Sequence, residues 1–252
     1  MTNVGFQMWE PYRQDLMAEH RFYVEQARKR LLSQFDNIDA EAKQAAEDYL
    51  HHMSVHFDPD KNDPLSFYEA AHDKAIELHL LLADMRENTR LSVTAGMFHQ
   101  WDKKLKEWII GEMRHWHHGE NASRAIWRAD FSKTMDFLAT FGFNVKVLPS
   151  YEKLNAMRLV VNVFKHGDGS SFDQLKASFP EYLHNPLGGD DVDFFVDYLK
   201  HTDVRVSDVQ LNEFSEAILD FWKDIPNQIF LSEEINDLKW FEQALLKDRG
   251  EV

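Results

Sequence analysis

The stretch from Leu65 to His118 constrains the fold more than any other part of the chain. It contains no proline, and its only glycines are Gly96 and Gly111. Because proline and glycine are the residues least compatible with a helix interior, the stretch predicts one very long helix or two in near-continuation. Its second half has apolar residues at helical spacing, namely Met97, Trp101, Leu105, Trp108 and Met113. A helix of this length is predicted to form the centre of a bundle.

The rest of the chain is also predicted to be mainly helical. Further helices are predicted at residues 10–35, 39–57, 122–141, 150–166, 172–177, 211–222 and 233–246. Alternating residues at 203–207 are compatible with a short β element. We therefore predict an all-α fold, a helical bundle around the long central helix. Residues 1–60 are predicted to be an N-terminal helical hairpin packed on a main domain of residues 61–252, whose C-terminal part is acidic.

The charge of the chain is unevenly distributed. The formal net charge is −15, but residues 101–167 have 11 Lys/Arg against 7 Asp/Glu, whereas residues 168–252 have 7 against 19. The acidic total disfavours avid, non-specific binding to nucleic acid, while the basic third permits a polyanionic substrate. The acidic C-terminal region could instead bind a protein partner or form an ordinary solvated surface.

Composition limits the cellular setting and the chemistry. Cysteine is absent, which excludes disulfides, thiolate metal sites and cysteine nucleophiles. The N-terminus lacks the apolar segment of a signal peptide, and no apolar run is long enough to span a bilayer. We expect a cytoplasmic protein without membrane association.

The stretch from Met157 to Gly169 carries the strongest functional signal. It predicts a largely apolar helix that glycine ends. Arg158, Asn162 and His166 are four residues apart and so form a polar stripe along one side of this helix. Buried polar groups need partners, and these types suit phosphodiester cleavage of RNA, since arginine binds phosphate and histidine transfers protons near neutral pH.

This arrangement resembles the signature of the HEPN superfamily, helical domains common in prokaryotic toxin–antitoxin and phage-defence systems. The usual motif is an arginine, often followed by a polar residue, and then a histidine after four to six residues. Here seven residues separate Arg158 from His166, and Asn162 does not follow the arginine directly.

The resemblance implies a metal-independent endoribonuclease without a cofactor. It also implies a homodimer in which arginine and histidine from two protomers meet. Arg158 and His166 would then be the catalytic pair, Asn162 would support their geometry, and Lys165 would contact RNA phosphate. His99 is a further substrate-binding candidate if its helix lies beside the Arg158 helix.

Other interpretations of the same residues stay open. Arg158 and His166 could be structural, in a catalytically silent helical protein that binds another protein. The histidines His115, His117 and His118 could hold a metal, although their spacing is poor, and the alternative is a histidine-rich helix end. The glycines at 167 and 169 could cradle phosphate or simply stop the helix. A small-molecule pocket among Trp101, Trp108, Trp116 and Trp127 competes with their assignment to the core.

Overall fold

The computed structural model describes residues 4–58, 60–184, 198–230 and 238–251. These residues form an all-α fold around a long central helix, as predicted. The helices are α1 (Glu10–Arg30), α2 (Ile38–Ser54), α3 (Pro64–Met113), α4 (Glu120–Arg128), α5 (Phe131–Thr140), α6 (Pro149–His166), α7 (Ser170–Ser178), α8 (Asp208–Asp224) and α9 (Lys239–Arg249). Every described helix is either too short or too polar to span a bilayer.

The chain divides into two compact units. One comprises Met1–Val24 with Thr94–Val252, and the other comprises Glu25–Val93. The boundaries fall within α1 and within α3. The domain boundary expected at residue 60 therefore lies inside the second unit.

The first unit contains a small sheet that the sequence analysis did not predict. Strand β1 (Val4–Gln7) pairs antiparallel with β2 (Gln228–Phe230), near the other end of the chain. Trp108 and Trp116 donate their indole N–H groups to carbonyl oxygens of β1, at 3.1 Å and 2.9 Å. At 203–207 there is only an isolated antiparallel bridge between Val204 and Leu183.

Aromatic side chains fill the core of the first unit. Phe6 of β1 is fully buried, and its ring centroid lies 4.8 Å from that of Phe141. Trp101 and Trp108 are buried in the same unit, while Trp127 is 49% exposed. Trp101 and Trp108 therefore belong to the core.

Several helix boundaries differ from expectation. Residues 122–141 form two helices instead of one, because Asp130 accepts a hydrogen bond from the Lys133 amide and caps α5. Residues 145–147, where no helix was expected, form a turn of 3₁₀-helix. The helix expected from residue 150 begins at Pro149, which opens it after Leu148, and Ser150 is buried. Of the helix expected at 233–246, residues 233–237 lie outside the described residues.

Candidate active site

Helix α6 carries the polar stripe and ends where the sequence predicts. Its apolar residues are buried except Phe164, and the helix packs against α7 and α8. Gly167 follows it with φ of 73°, a conformation that side chains with a Cβ rarely adopt, so glycine is needed there. Ser170 then begins α7. The predicted helix stop and short following helix are therefore confirmed.

Arg158 is half-buried, and no carboxylate of the described residues lies within ion-pair distance of it, although the charge of Asp130 acts on it at longer range. Its Nε and Nη2 donate to the Asn155 side-chain oxygen at 3.1 Å and 2.8 Å, and Nη2 is 3.4 Å from the Gln174 oxygen. The guanidinium carbon lies 5.6 Å from the centre of the Phe131 ring. Burial lowers the pKa of Arg158, but arginine stays protonated at physiological pH. The arginine is thus a cation whose hydrogen-bond partners are neutral, and the Asp130 carboxylate raises its pKa from beyond ion-pair distance.

An open groove of about 420 Å³ brings three of the candidate residues together. Arg158 and Asn162 line it from α6, and His99 lines it from α3. Phe98 and Phe131 supply apolar walls. Asn162 has one weak contact, from Nδ2 to the Ser171 hydroxyl at 3.4 Å. The side chains that face this groove can therefore bind an anion and exchange a proton.

Three further charged residues line the groove, and the sequence analysis did not select them as site residues. They are Asp102, Lys106 and Asp130. Lys106 is buried and donates to Asp102 at 2.8 Å. Asp130 pairs with Lys133 at 3.6 Å, in addition to capping α5. Because both carboxylates have cationic partners, Arg158 remains the cation of this groove that is free of a close ion pair within the described residues.

His166 and Lys165 do not line the groove. Both are exposed at the C-terminal end of α6. With a rise of 1.5 Å per residue, His166 lies about 12 Å along the helix axis from Arg158. Within a single chain, His166 therefore does not share the groove that Arg158 lines.

A different histidine lies near the end of α6. His201 Nδ1 is 3.0 Å from an Asp168 carboxylate oxygen. Its ring also lies against Gly167, where a Cβ would come within 3.5 Å of it. The sequence analysis did not single out His201, because only the tertiary fold brings it to this helix end.

The histidine cluster at the end of α3 has a structural partner. His117 Nε2 is 2.9 Å from Asp248 of α9, whereas His115 is largely exposed. Within the described ranges, no three histidine, aspartate or glutamate side chains are grouped so that they could hold a metal ion.

The chain was compared with known protein families, curated proteins and solved structures, and no match was found.

Proposed function

We propose that the chain is a HEPN-like, metal-independent endoribonuclease of a prokaryotic phage-defence or toxin–antitoxin system. The observation that supports it most is Arg158, a half-buried guanidinium that faces an open groove, has neutral hydrogen-bond partners and makes no close ion pair with a described residue. A buried cation without an ion pair is costly. A bound phosphate would offset that cost with bidentate, charge-assisted hydrogen bonds.

The reaction proposed is attack of a ribose 2′-hydroxyl on the adjacent phosphorus. Arg158 would bind the non-bridging oxygens and stabilise the negative charge of the phosphorane, and the Asn162 amide would orient the same phosphate. His99 would take the 2′-hydroxyl proton as general base. The groove is open to solvent, so water would supply the proton to the departing 5′-oxygen. The products would be a 2′,3′-cyclic phosphate and a 5′-hydroxyl.

In this proposal the role of His166 differs from the catalytic role that the HEPN resemblance implies. Within one chain, it and Lys165 would contact the RNA backbone beyond the groove. His166 would reach the Arg158-bound phosphate only if a second protomer supplied it, as in the dimers that the HEPN resemblance implies. Complementation between inactive variants separates these two roles.

We expect Arg158→Ala to slow RNA cleavage about 100-fold, the usual loss when one charge-stabilising group is removed from an active site. His99→Ala should cause a comparable loss, and His166→Ala should cause less than a tenfold loss. Cleavage would be followed on a fluorescent oligoribonucleotide in the presence of EDTA. A substrate with a single ribonucleotide would locate the 2′-hydroxyl that attacks.

Arg114→Ala is the matched control, because Arg114 is exposed and lies outside the groove. Circular dichroism and the thermal midpoint of each variant would establish that it is folded. If wild type and Arg158→Ala cleave equally, or if neither cleaves, the nuclease proposal is wrong. If a mixture of Arg158→Ala and His166→Ala regains activity that each lacks alone, catalysis belongs to a shared site between protomers.

A second candidate function, protein binding without catalysis, is favoured by an apolar groove in the unit Glu25–Val93. Between α2 and α3 lies a groove of about 520 Å³. Alanines form much of its lining, beside Leu50, Tyr68, Ile76 and Leu80. Residues 25–93 carry 8 Lys/Arg against 14 Asp/Glu. An apolar groove in an acidic unit suits a basic amphipathic helix of a partner protein.

We expect a helical peptide of leucine and lysine to bind this groove at least tenfold more tightly than its leucine–glutamate counterpart. Leu80→Glu should weaken binding at least tenfold because it buries an unpaired charge. Leu81→Glu is the matched control, since Leu81 is 63% exposed, like Leu80 at 62%, but does not line the groove. Fluorescence anisotropy measures binding. Equal affinity for both peptides would refute the proposal. It would also be refuted if the protein formed a dimer that Leu80→Glu dissociates, because a second copy of the chain would then occupy the groove.

A further inference from the structure

A second pocket, separate from the Arg158 groove, has the strongest positive lining of those described. It lies between α4, the start of α5 and α9, and its volume is about 330 Å³. Four cationic side chains line it, and no carboxylate does. They are Arg124, Arg128, Lys133 and Lys247. Three of them lie in residues 101–167, the basic part of a chain of net charge −15, and the fold adds Lys247 from the acidic part.

The cations of this pocket are available to a ligand. Arg124 pairs with Glu120 at 2.6 Å, but both side chains are more than 60% exposed, and such pairs contribute little. Lys133 has only the 3.6 Å pair with Asp130. Arg128 and Lys247 make no ion pair with any described residue. An anion in the pocket would meet several charges that are not already neutralised.

The remaining lining suits the organic part of a nucleotide. Trp240 contributes an aromatic wall and lies 6.1 Å, centroid to centroid, from Phe137. Asn121 and Gln243 contribute side-chain amide groups, and three alanines contribute small side chains to the rest of the lining. Aromatic rings stack on nucleobases, and amides can hydrogen-bond to a base edge or a ribose hydroxyl. The volume lies within the range of small-molecule sites.

Two of the helices that form the pocket, α4 and α9, are tied together by Asp248. Its carboxylate accepts hydrogen bonds from the amides of Asn121 and Ala122, from the Asn121 side chain and from His117, at 2.8–2.9 Å. A Cβ at Gly119 would overlap this carboxylate. Burial raises the pKa of Asp248, but these hydrogen bonds outweigh it and bring the pKa to about 2. The carboxylate is thus charged at neutral pH and holds α9 against the start of α4.

We propose that this pocket binds a 5′-nucleoside phosphate, with the phosphates among the four cations and the base against Trp240. The ligand chemistry is the same in a free nucleotide and at the 5′-phosphorylated end of an RNA. The proposal does not depend on the nuclease proposal, because its residues and its readout are different.

Isothermal titration calorimetry of the full chain tests this site with ADP, adenosine, pyrophosphate and a 5′-phosphorylated tetraribonucleotide. We expect ADP to bind at least tenfold more tightly than adenosine. Arg128→Ala combined with Lys247→Ala should weaken ADP binding at least tenfold, since both positions are exposed and the fold should be kept. Arg249→Ala is the control, because it removes a cation of α9 that does not line the pocket.

Trp240→Ala tests the contribution of the base. ADP binding should fall at least tenfold while pyrophosphate binding stays within twofold, and retained pyrophosphate binding also shows that the variant is folded. Tighter binding of the tetraribonucleotide than of ADP would identify an RNA end as the source, and the reverse would identify a free nucleotide. Binding of pyrophosphate as tight as that of ADP, no binding of any probe, or binding unchanged in the double variant would overturn the proposal.

Discussion

Arg13→Ala should lower the free energy of unfolding by about 4 kcal/mol, the range for breaking a buried charged network. Arg13 is 5% exposed, and its Nη1 donates to the carbonyls of Trp222, Lys223 and Ile225 at 2.6–2.9 Å. The last carbonyls of a helix have no partner within the helix. One guanidinium therefore satisfies the end of α8, and its removal would leave several buried acceptors unpaired.

Urea denaturation at neutral pH measures this loss. Arg13→Lys should recover only part of the stability, because an ammonium lacks the planar fork that reaches several oxygens. Arg30→Ala, at an exposed position of the same helix, should change the unfolding free energy by less than about 0.5 kcal/mol. A loss below about 1 kcal/mol in Arg13→Ala would mean that water replaces the guanidinium at these carbonyls.

The contrast between Arg13 and Arg158 explains why they receive different roles. Arg13 is nearly inaccessible, its Nη1 donates to backbone oxygens, its Nη2 donates to the Asn227 side-chain oxygen, and its Nε donates to Glu10 at 2.9 Å. Arg158 has two amide oxygens and an aromatic ring as partners and faces an open groove. Loss of Arg13 should therefore reduce activity only through unfolding, whereas loss of Arg158 should reduce activity in a folded protein.

Features that depend on neighbouring residues could be predicted from the sequence. The long helix α3 follows from the absence of proline, and the end of α6 follows from Gly167. The Ser207 cap of α8 is also local, since its hydroxyl accepts from the Gln210 amide three residues on, but the sequence analysis had placed residue 207 in the possible β element at 203–207. The sequence analysis missed the break between α4 and α5 because the cap residue, Asp130, has no neighbouring glycine or proline to mark the end of a helix.

Features that join distant residues could not be predicted in the same way. The β1–β2 sheet pairs the two ends of the chain, and the network of Arg13 spans more than 200 residues. For the groove, the helical stripe supplied Arg158 and Asn162, but the sequence alone could not show that His166 lies outside it. The four cations of the second pocket come from three helices, so no spacing in the sequence brings them together.

The stability of the protein should depend on pH through His20, which the sequence analysis also missed. His20 is 7% exposed and lies 2.9 Å from the Ser215 hydroxyl. Burial lowers its pKa to about 4 from the ordinary value of 6.5, and the positive charge of Arg21 acts in the same direction. Below about pH 6.5 the unfolded chain binds a proton that the folded chain takes up only near pH 4. Unfolding is therefore favoured increasingly as the pH falls through this window.

His20→Gln should remove this dependence while keeping a group that can hydrogen-bond to Ser215. At pH 7 the variant should be less stable than wild type, because packing is lost. At pH 4.5 the difference should shift in favour of the variant by about 2 kcal/mol, since one pKa unit corresponds to 1.36 kcal/mol. Urea denaturation at both pH values measures the shift, and carboxylates that titrate alike in both proteins cancel from it. His118→Gln, at an exposed position, should show no such shift. An equal difference between wild type and His20→Gln at the two pH values would mean that the folded protein admits a proton at His20 as readily as the unfolded chain does.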